Sequence, residues 1–518
     1  MFIIKRIMFL YVTLQDWVVW QLVKEEKIHK ILLAPGIEGY RWRIGRWRLY
    51  RTLDSAKKKV PAYSAFYKAH ESKDPKIDKG GLNLTGIYPM DKQNYIKKYS
   101  TSSRCWYGEI PRSGILVDES SGSSGTPTSW VRGADERRAI RQLIQVNFRQ
   151  LERNQQIFVL NAFAMGAWAT GMASTMALLE KYMVKSTGPD QVKIIETMLE
   201  FGNKYDYIIL GYPPFLRDLV EIKGFNFKQY KITAIYGGEA MSESMRKYLE
   251  KSFIRVVGSY GASDLEINIA AESDFTIALR NEILKDPEFS KDLIISEYGV
   301  IPMIFQYNPF DYVFEINDKN EILVSICRKN NINPRIRYNI HDLGQIYRLK
   351  NLKPILKKHN KMHLLKKLQV DLPLLLHYGR SDLSLDFYGA VVSPESIKQV
   401  IFSNKSYTDR INAFRLVAYE DAKARKNLLF AFELKQGYSD AKGELSRQLF
   451  REVTEYLNKN NLDFKQACKV AAQADTMPKV LLAEYNKSIF ERKGVQKLKN
   501  EYIWNLNHEQ AKLYGLCK

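Results

Sequence analysis

Residues 120–128 read Ser120-Ser121-Gly122-Ser123-Ser124-Gly125-Thr126-Pro127-Thr128. Five hydroxyl side chains and two glycines precede the proline, with Val117-Asp118-Glu119 ahead and a long helical pattern behind. Glycine lets backbone N–H groups approach a ligand closely. Serine and threonine add further donors, so such a loop can wrap a phosphate. The loop departs from the nucleotide pattern G-x-x-x-x-G-K-[ST], because no lysine follows Gly125. By itself a Ser/Gly-rich run is most often a solvated linker. Its meaning depends on the chain around it.

Downstream, helical and extended patterns alternate. Ala134 to Arg153 carries Ile140, Leu143, Ile144 and Phe148 at helical spacing. Short apolar runs at Gln156–Asn161, Tyr207–Leu210, Lys231–Tyr236 and Ile254–Val257 read as strands followed by turns. That order predicts an α/β domain with a largely parallel sheet, whose ligands bind beyond the carboxyl ends of the strands. Gly237-Gly238-Glu239 and Tyr260-Gly261-Ala262-Ser263-Asp264 both fall at such ends. The small residues of Ala162–Gly171 suit either a close helix–sheet contact or a cavity for an apolar group.

Composition bounds the function. A chain of 518 residues predicts two or three domains. Four widely spaced cysteines give neither a disulfide framework nor a zinc cluster, so a reducing, cytoplasmic setting is the expectation. His359 and His363 read as a solvated helix face. The net charge of +22 attracts polyanions, from nucleotides to anionic lipid or an acidic partner. No RNP, zinc-finger or basic-heptad pattern accompanies it, so no specific nucleic acid is expected. Met1–Val23 is apolar but interrupted by Lys5, Arg6 and Asp16. It is too broken to span a bilayer and predicts a helix packed on the body, with an interfacial membrane contact as the alternative.

Five stretches occur in a telling order: Ser120–Thr128, Gly237-Gly238-Glu239, Tyr260–Asp264, Tyr338-Asn339-Ile340-His341-Asp342 and Gly379-Arg380-Ser381-Asp382. Together they resemble the motifs of adenylate-forming enzymes, a superfamily of acyl-CoA synthetases, luciferases and peptide-synthetase adenylation domains. Within it the chain looks most like the phenylacetate–CoA ligase branch and its capsular-polysaccharide-biosynthesis relatives. The Pro127-Thr128 loop end, Gly238–Arg246, Val60-Pro61-Ala62-Tyr63 and Tyr88-Pro89-Met90-Asp91-Lys92 carry that finer likeness. The resemblance covers roughly residues 50 to 500.

The resemblance implies an α/β fold: a large N-terminal adenylation domain with mostly parallel sheets over residues 1–379, and a small mobile α+β lid over 380–518. It implies that Ser120, Ser121, Gly122, Ser123, Ser124, Gly125 and Thr126 hold the ATP β- and γ-phosphates, with Gly237, Gly238, Glu239 and Gly261 in the nucleotide site. Tyr260 resembles the aromatic packed on adenine, Ser263 the residue at the α-phosphate, and Asp264 the Mg²⁺ ligand, with Glu266 as its alternative. Asp342 resembles the ribose acceptor and Arg380 the nucleotide arginine. Asp382 resembles the hinge, and Lys497 the adenylation lysine, with Lys493 and Lys499 behind it.

The implied activity is ATP-dependent activation of a small carboxylic acid, followed by transfer to CoA or another thiol. A carrier-protein thiol or an amine is an alternative acceptor, and a non-catalytic nucleotide- or polyanion-binding relative is the competing class. Two departures stand out. Leu349–Leu376 carries seven lysines and no cysteine, reading as a solvated face. His341 stands where relatives place a small residue or glycine.

Overall fold

A computed structural model describes residues 2–22, 36–78, 81–119, 128–149, 151, 155–167, 169–295, 298, 301–329, 331–380, 385–388, 390–421, 425–473, 475–491, 502–506 and 508–517. The chain divides into two compact units. The first holds residues 1–239, 252–279 and 304–377; the second holds 240–251, 280–303 and 378–518.

The first unit opens with helix α1 (Phe2–Leu22) and helix α2 (Glu38–Lys59). The expected N-terminal helix is therefore present, and it packs on α2. Two hairpins follow: β1 (Lys76–Asp78) with β2 (Gly81–Asn83), and β3 (Leu116–Glu119) with β4 (Ser129–Arg132). The strands of the main sheet are β5 (Ile157–Asn161), β6 (Met183–Ser186), β7 (Asp206–Gly211), β8 (Lys231–Tyr236), β9 (Arg255–Tyr260), β10 (Ala270–Ala271), β11 (Met303–Gln306), β12 (Tyr312–Ile316), β13 (Glu321–Ile326), β14 (Tyr338–Tyr347) and β15 (Leu374–Arg380). Among the described residues these strands form one sheet in the order β12-β13-β14-β15-β11-β10-β9-β8-β7-β5-β6.

Strands β5 to β9 pair in parallel, and β7 and β5 are buried along their whole length. Burial on both faces explains why they read as continuous apolar runs instead of alternating ones. The helix Ala134–Arg149 lays Ile140, Ile144 and Phe148 against Ile157, Val159, Ile208 and Leu210 of this half. Beyond β9 the sheet turns antiparallel, with β9 against β10, β12 against β13 and β13 against β14. The small residues at 162–171 make a close contact: a Cβ on Gly171 would lie 2.2 Å from the Ala164 carbonyl oxygen.

The lysine-rich stretch forms the helix Leu349–Lys358, which buries Leu349, Leu352 and Leu356 while Lys350, Lys353, Lys357 and Lys358 stay exposed. His359 and His363 do not share a helix face as expected. The helix ends at Lys358, and a separate 3-10 turn runs from Met362 to Lys367. Four lysines within ten residues and Pro354 inside the helix leave little propensity to extend it.

The second unit carries a four-stranded sheet in the order Lys479–Ala483, Lys426–Leu434, Ile411–Glu420, Ile503–Leu506. Its central pair is antiparallel and its outer pairs parallel. The helix Glu444–Asn460 buries Leu445, Leu449, Val453 and Leu457, four apolar positions at i, i+4 steps, in this unit's core. These strands and this helix make a small α+β body, in a unit that also holds residues 240–251 and 280–303.

Candidate active site

The parallel half of the sheet delivers two glycine turns to one edge. Gly237 and Gly238 follow β8, and Gly238 has φ +84°, a region where a side chain is strained. Gly261 follows Tyr260 at the end of β9. A Cβ there would lie 2.7 Å from the Glu266 carbonyl and 2.8 Å from the Asn268 nitrogen, so the turn folds back on its own backbone.

Two motifs far apart in sequence then lock together. The Tyr260 hydroxyl donates to Asp342 Oδ2 at 2.6 Å, and the Tyr338 hydroxyl donates to Asp264 Oδ2 at 2.9 Å. Each motif has a tyrosine four residues before an aspartate, and each tyrosine serves the other motif's acid. Burial pushes the Tyr338 phenol well above its ordinary pKa and Asp264 adds to that shift, so Tyr338 remains a donor. His377, at β15, places Nε2 3.1 Å from the same Asp342 oxygen. The Tyr260 ring stacks on Phe305 at 5.5 Å and leans on His377 at 5.0 Å. The sequence pointed to Tyr260, Asp264 and Asp342; Tyr338 and His377 carried no signal apart from their neighbours.

The backbone of the Tyr260 turn is held by two buried guanidiniums. Arg132 donates to the carbonyls of Ser263 and Leu265, and Arg335 donates to that of Asp264 at 2.9 Å. Three successive carbonyls are thereby fixed. Arg132 itself sits between Asp118 at 3.1 Å and Glu136 at 2.9 Å. Burial opposes its charge, but the two carboxylates outweigh burial and hold its pKa above the ordinary value. Asp118 lies on β3 and Arg132 on β4, whose ends pair Glu119 with Ser129 across the hydroxyl loop. Arg335 lies over the Trp130 ring at 4.5 Å, and burial followed by repulsion from Arg132 brings its pKa down to about 10.

The fit to a hard cation distinguishes the two acids proposed for it. Glu266 is 1 % exposed and receives Arg328, the Tyr312 hydroxyl at 2.6 Å and Asn331 Nδ2 at 2.8 Å. Its carboxylate is consumed inside the protein, so the alternative role for Glu266 is withdrawn. Asp264 is half-buried, with Tyr338 on one oxygen, and offers the oxygen chemistry that Mg²⁺ takes.

His341 precedes Asp342 with φ +64°, the left-handed region in which a glycine is unstrained. A side chain there costs roughly 1–2 kcal/mol. The Asn339 side chain accepts from the His341 N–H at 2.8 Å, and the imidazole pairs with Glu321 at 3.0 Å. Those contacts offset the strain, at a place where the β13–β14 ladder shifts register.

Ser120 to Thr126, Asp382 and Lys497 lie outside the described residues, as do Lys493 and Lys499. Arg380 ends β15, and its side chain is likewise outside them. Glu239 directly follows the Gly238 turn and is half-buried.

No protein-family model matches the sequence, and no curated protein matches it. Solved structures do match. 2-Hydroxyisobutyryl-CoA ligase in the postadenylation state with R3-HIB-AMP is 14 % identical, over 91 % of this chain and 90 % of that one, at a TM-score of 0.64. The same ligase with 2-HIB-AMP gives 0.63 over the same shares. In the thioesterification state with 2-HIB-AMP and CoA it gives 0.51, at 13 % identity over 93 % and 92 % of the two chains. The chain has the fold of an adenylate-forming ligase. The expected α/β fold class is thereby met over nine-tenths of the chain's length.

Asp342→Asn keeps the shape and an acceptor oxygen for Tyr260 but removes the charge. On the ribose role that the resemblance implies for Asp342, the change is expected to weaken MgATP binding about tenfold, the usual worth of a charged over a neutral acceptor. Calorimetric titration of the folded variant checks this; an unchanged affinity rejects that role.

Proposed function

We infer that the protein is an ATP-dependent, AMP-forming carboxylate ligase. The observation that carries this reading is the reciprocal Tyr260–Asp342 and Tyr338–Asp264 bonding at the carboxyl ends of the parallel strands. It brings together the motif that resembles the adenine and metal site with the motif that resembles the ribose site.

A carboxylate of the acid substrate attacks the α-phosphorus of ATP, forming the acyl–phosphate bond and expelling pyrophosphate. The CoA thiol then attacks the acyl carbonyl and expels AMP, its proton passing to solvent. Asp342 accepts the ribose hydroxyls, with Tyr260 against the base. Ser263 stands at the α-phosphate on a turn whose carbonyls Arg132 and Arg335 immobilise. Such fixed polar groups stabilise developing charge because they need no reorganisation. Mg²⁺ bound at Asp264 and the nucleotide would neutralise charge on the phosphoryl oxygens. Ser120–Thr126 and Gly237–Glu239 hold the phosphates and frame the nucleotide, and Arg380 reaches it. Residues 1–379 act as the adenylation domain, and 380–518 as a lid turning about Asp382 and bringing Lys497 to the phosphate.

Within this class we place the chain beside the phenylacetate–CoA ligase branch. The acidic, arginine-bearing segment at Gly238–Arg246 supports the placement. There Glu243 receives Arg246 at 3.1 Å and Arg280 at 2.8 Å, all three buried.

The test is acid-dependent ATP–pyrophosphate exchange across a panel of carboxylic acids. One acid is expected to drive exchange and to leave AMP, whereas ADP and phosphate as products would refute adenylation. Lys497→Ala is expected to lower exchange roughly a hundredfold, while sparing thioester formation from chemically supplied acyl-adenylate. Full exchange in that variant moves the role to Lys493 or Lys499.

A further inference from the structure

Helix α1 is built inside out. Its inward face carries Lys5, Met8, Val12 and Asp16. Met8 and Val12 are buried, and the two charges pair with α2: Lys5 with Asp54 at 2.5 Å, Asp16 with Arg48 and Arg51. Phe9 closes the contact edge-on to Tyr50, and Lys5 lies over the Tyr50 ring at 4.9 Å. The outward face is the apolar one. Ile7, Leu10, Leu14 and Trp17 are 62 %, 71 %, 61 % and 61 % exposed, and the spacing i, i+3, i+7, i+10 sets them in one stripe. Tyr11 and Tyr40 border it, also exposed, with their hydroxyls joined at 2.8 Å.

A helix that only docked on α2 would turn its leucines inward and its charges to water. Here ion pairs already hold the polar face, and a contiguous row of large apolar side chains is presented outward. Rows of that kind on a folded protein mark contact surfaces.

Charge selects the occupant. The helix has one acidic residue, Asp16, and it is turned inward. Exposed Arg6 sits beside the stripe, and Arg43 is exposed on the neighbouring helix. The chain as a whole carries +22. A second copy would bring the same sign of charge to the interface and be repelled; an anionic lipid surface would be attracted. Tyrosine and tryptophan rings suit the boundary between headgroups and acyl chains. Among the described residues no helix is long and apolar enough to cross a membrane. We propose that α1 lies flat in the interface of an anionic membrane, seating Ile7, Leu10, Leu14 and Trp17 among the acyl chains. The proposal stands apart from the adenylation reading and does not depend on it.

The test is co-sedimentation of the full chain with vesicles of phosphatidylcholine alone and of phosphatidylcholine with phosphatidylglycerol, alongside the Trp emission spectrum. The protein is expected to sediment with the anionic vesicles and to shift its emission to the blue. The double variant Leu10→Glu/Leu14→Glu alters only exposed positions, so its thermal melt should match the parent, while its partitioning falls about tenfold or more. Leu179→Glu, at an exposed leucine on another surface, should partition as the parent does. Three results would overturn the proposal. They are a parent chain that anionic vesicles do not pellet, a double variant that binds as well as the parent, and a parent dimer, found by light scattering, that the double variant dissociates.

Discussion

Replacing Arg328 with methionine is expected to destabilise the first unit by roughly 3–5 kcal/mol, the cost of stranding one member of a buried ion pair. Glu266 is 1 % exposed, and Arg328 forms an ion pair with it, beside two neutral donors. Burial works against the Glu266 charge, but attraction and hydrogen bonding from Arg328, with Tyr312 and Asn331, hold its carboxyl below the ordinary value. The folded pKa is depressed. Its stabilisation is therefore complete above the unfolded value of about 4.3 and is lost as pH falls toward the folded value. In Arg328→Met the guanidinium's attraction and hydrogen bond are lost, so the balance moves toward burial, which favours the neutral acid. The stability gap between parent and variant, read from urea midpoints, should narrow as the medium is acidified below about pH 4.3. Adding Glu266→Gln should restore most of the loss, since a buried pair contributes little beyond its own compensation. No change in midpoint on Arg328→Met alone would mean that Glu266 has other charge compensation.

Arg132→Met is expected to cost a similar amount, roughly 3–5 kcal/mol, because Asp118 and Glu136 would lose the buried cation that contacts them both. Its consequence for activity is more specific. The carbonyls of Ser263 and Leu265 lose their donors, and the turn that bears Ser263 and Asp264 is freed. Arg132→Lys separates the two effects. Lysine restores a charge but not the planar fork that serves two carboxylates and two carbonyls together. The lysine variant should recover much of the stability yet exchange pyrophosphate at least tenfold more slowly than the parent. Normal exchange in a folded Arg132→Lys protein would reduce Arg132 to a structural residue.

Much of the fold is legible in local pattern. Lys231–Tyr236 reads as a strand with the bounds that the structure has, and the runs near 157, 207 and 255 match within a few residues. These are apolar runs stopped by glycine, proline or asparagine, and such punctuation acts over a few residues. The helices Ala134–Arg149 and Glu444–Asn460 follow from apolar spacing alone. The candidate site was legible in part: Tyr260 and Asp264 sit at the end of β9 beside the Gly261 turn, whereas Asp342, inside β14, was marked only by the resemblance of its motif.

What the sequence determined, then, was the set of strands, the helices between them and the motifs at their ends, all consequences of periodicity and short-range backbone preference. Which residues meet was decided only by the tertiary structure. Tyr260 and Asp342 are 82 positions apart, Tyr338 and Asp264 are 74, and Arg132 and Leu265 are 133. No local period links such pairs; they meet because the folded chain brings the turn after β9 against β14 and the β3–β4 hairpin. Burial changes the meaning of a charge in the same way. Lys5 and Asp16 read in sequence as interruptions of an apolar run, and Glu266 as a spare metal ligand. The fold makes the first two the docking face of α1 and encloses the third with Arg328, because a charge taken from water must find its partner in space, wherever that partner lies along the chain.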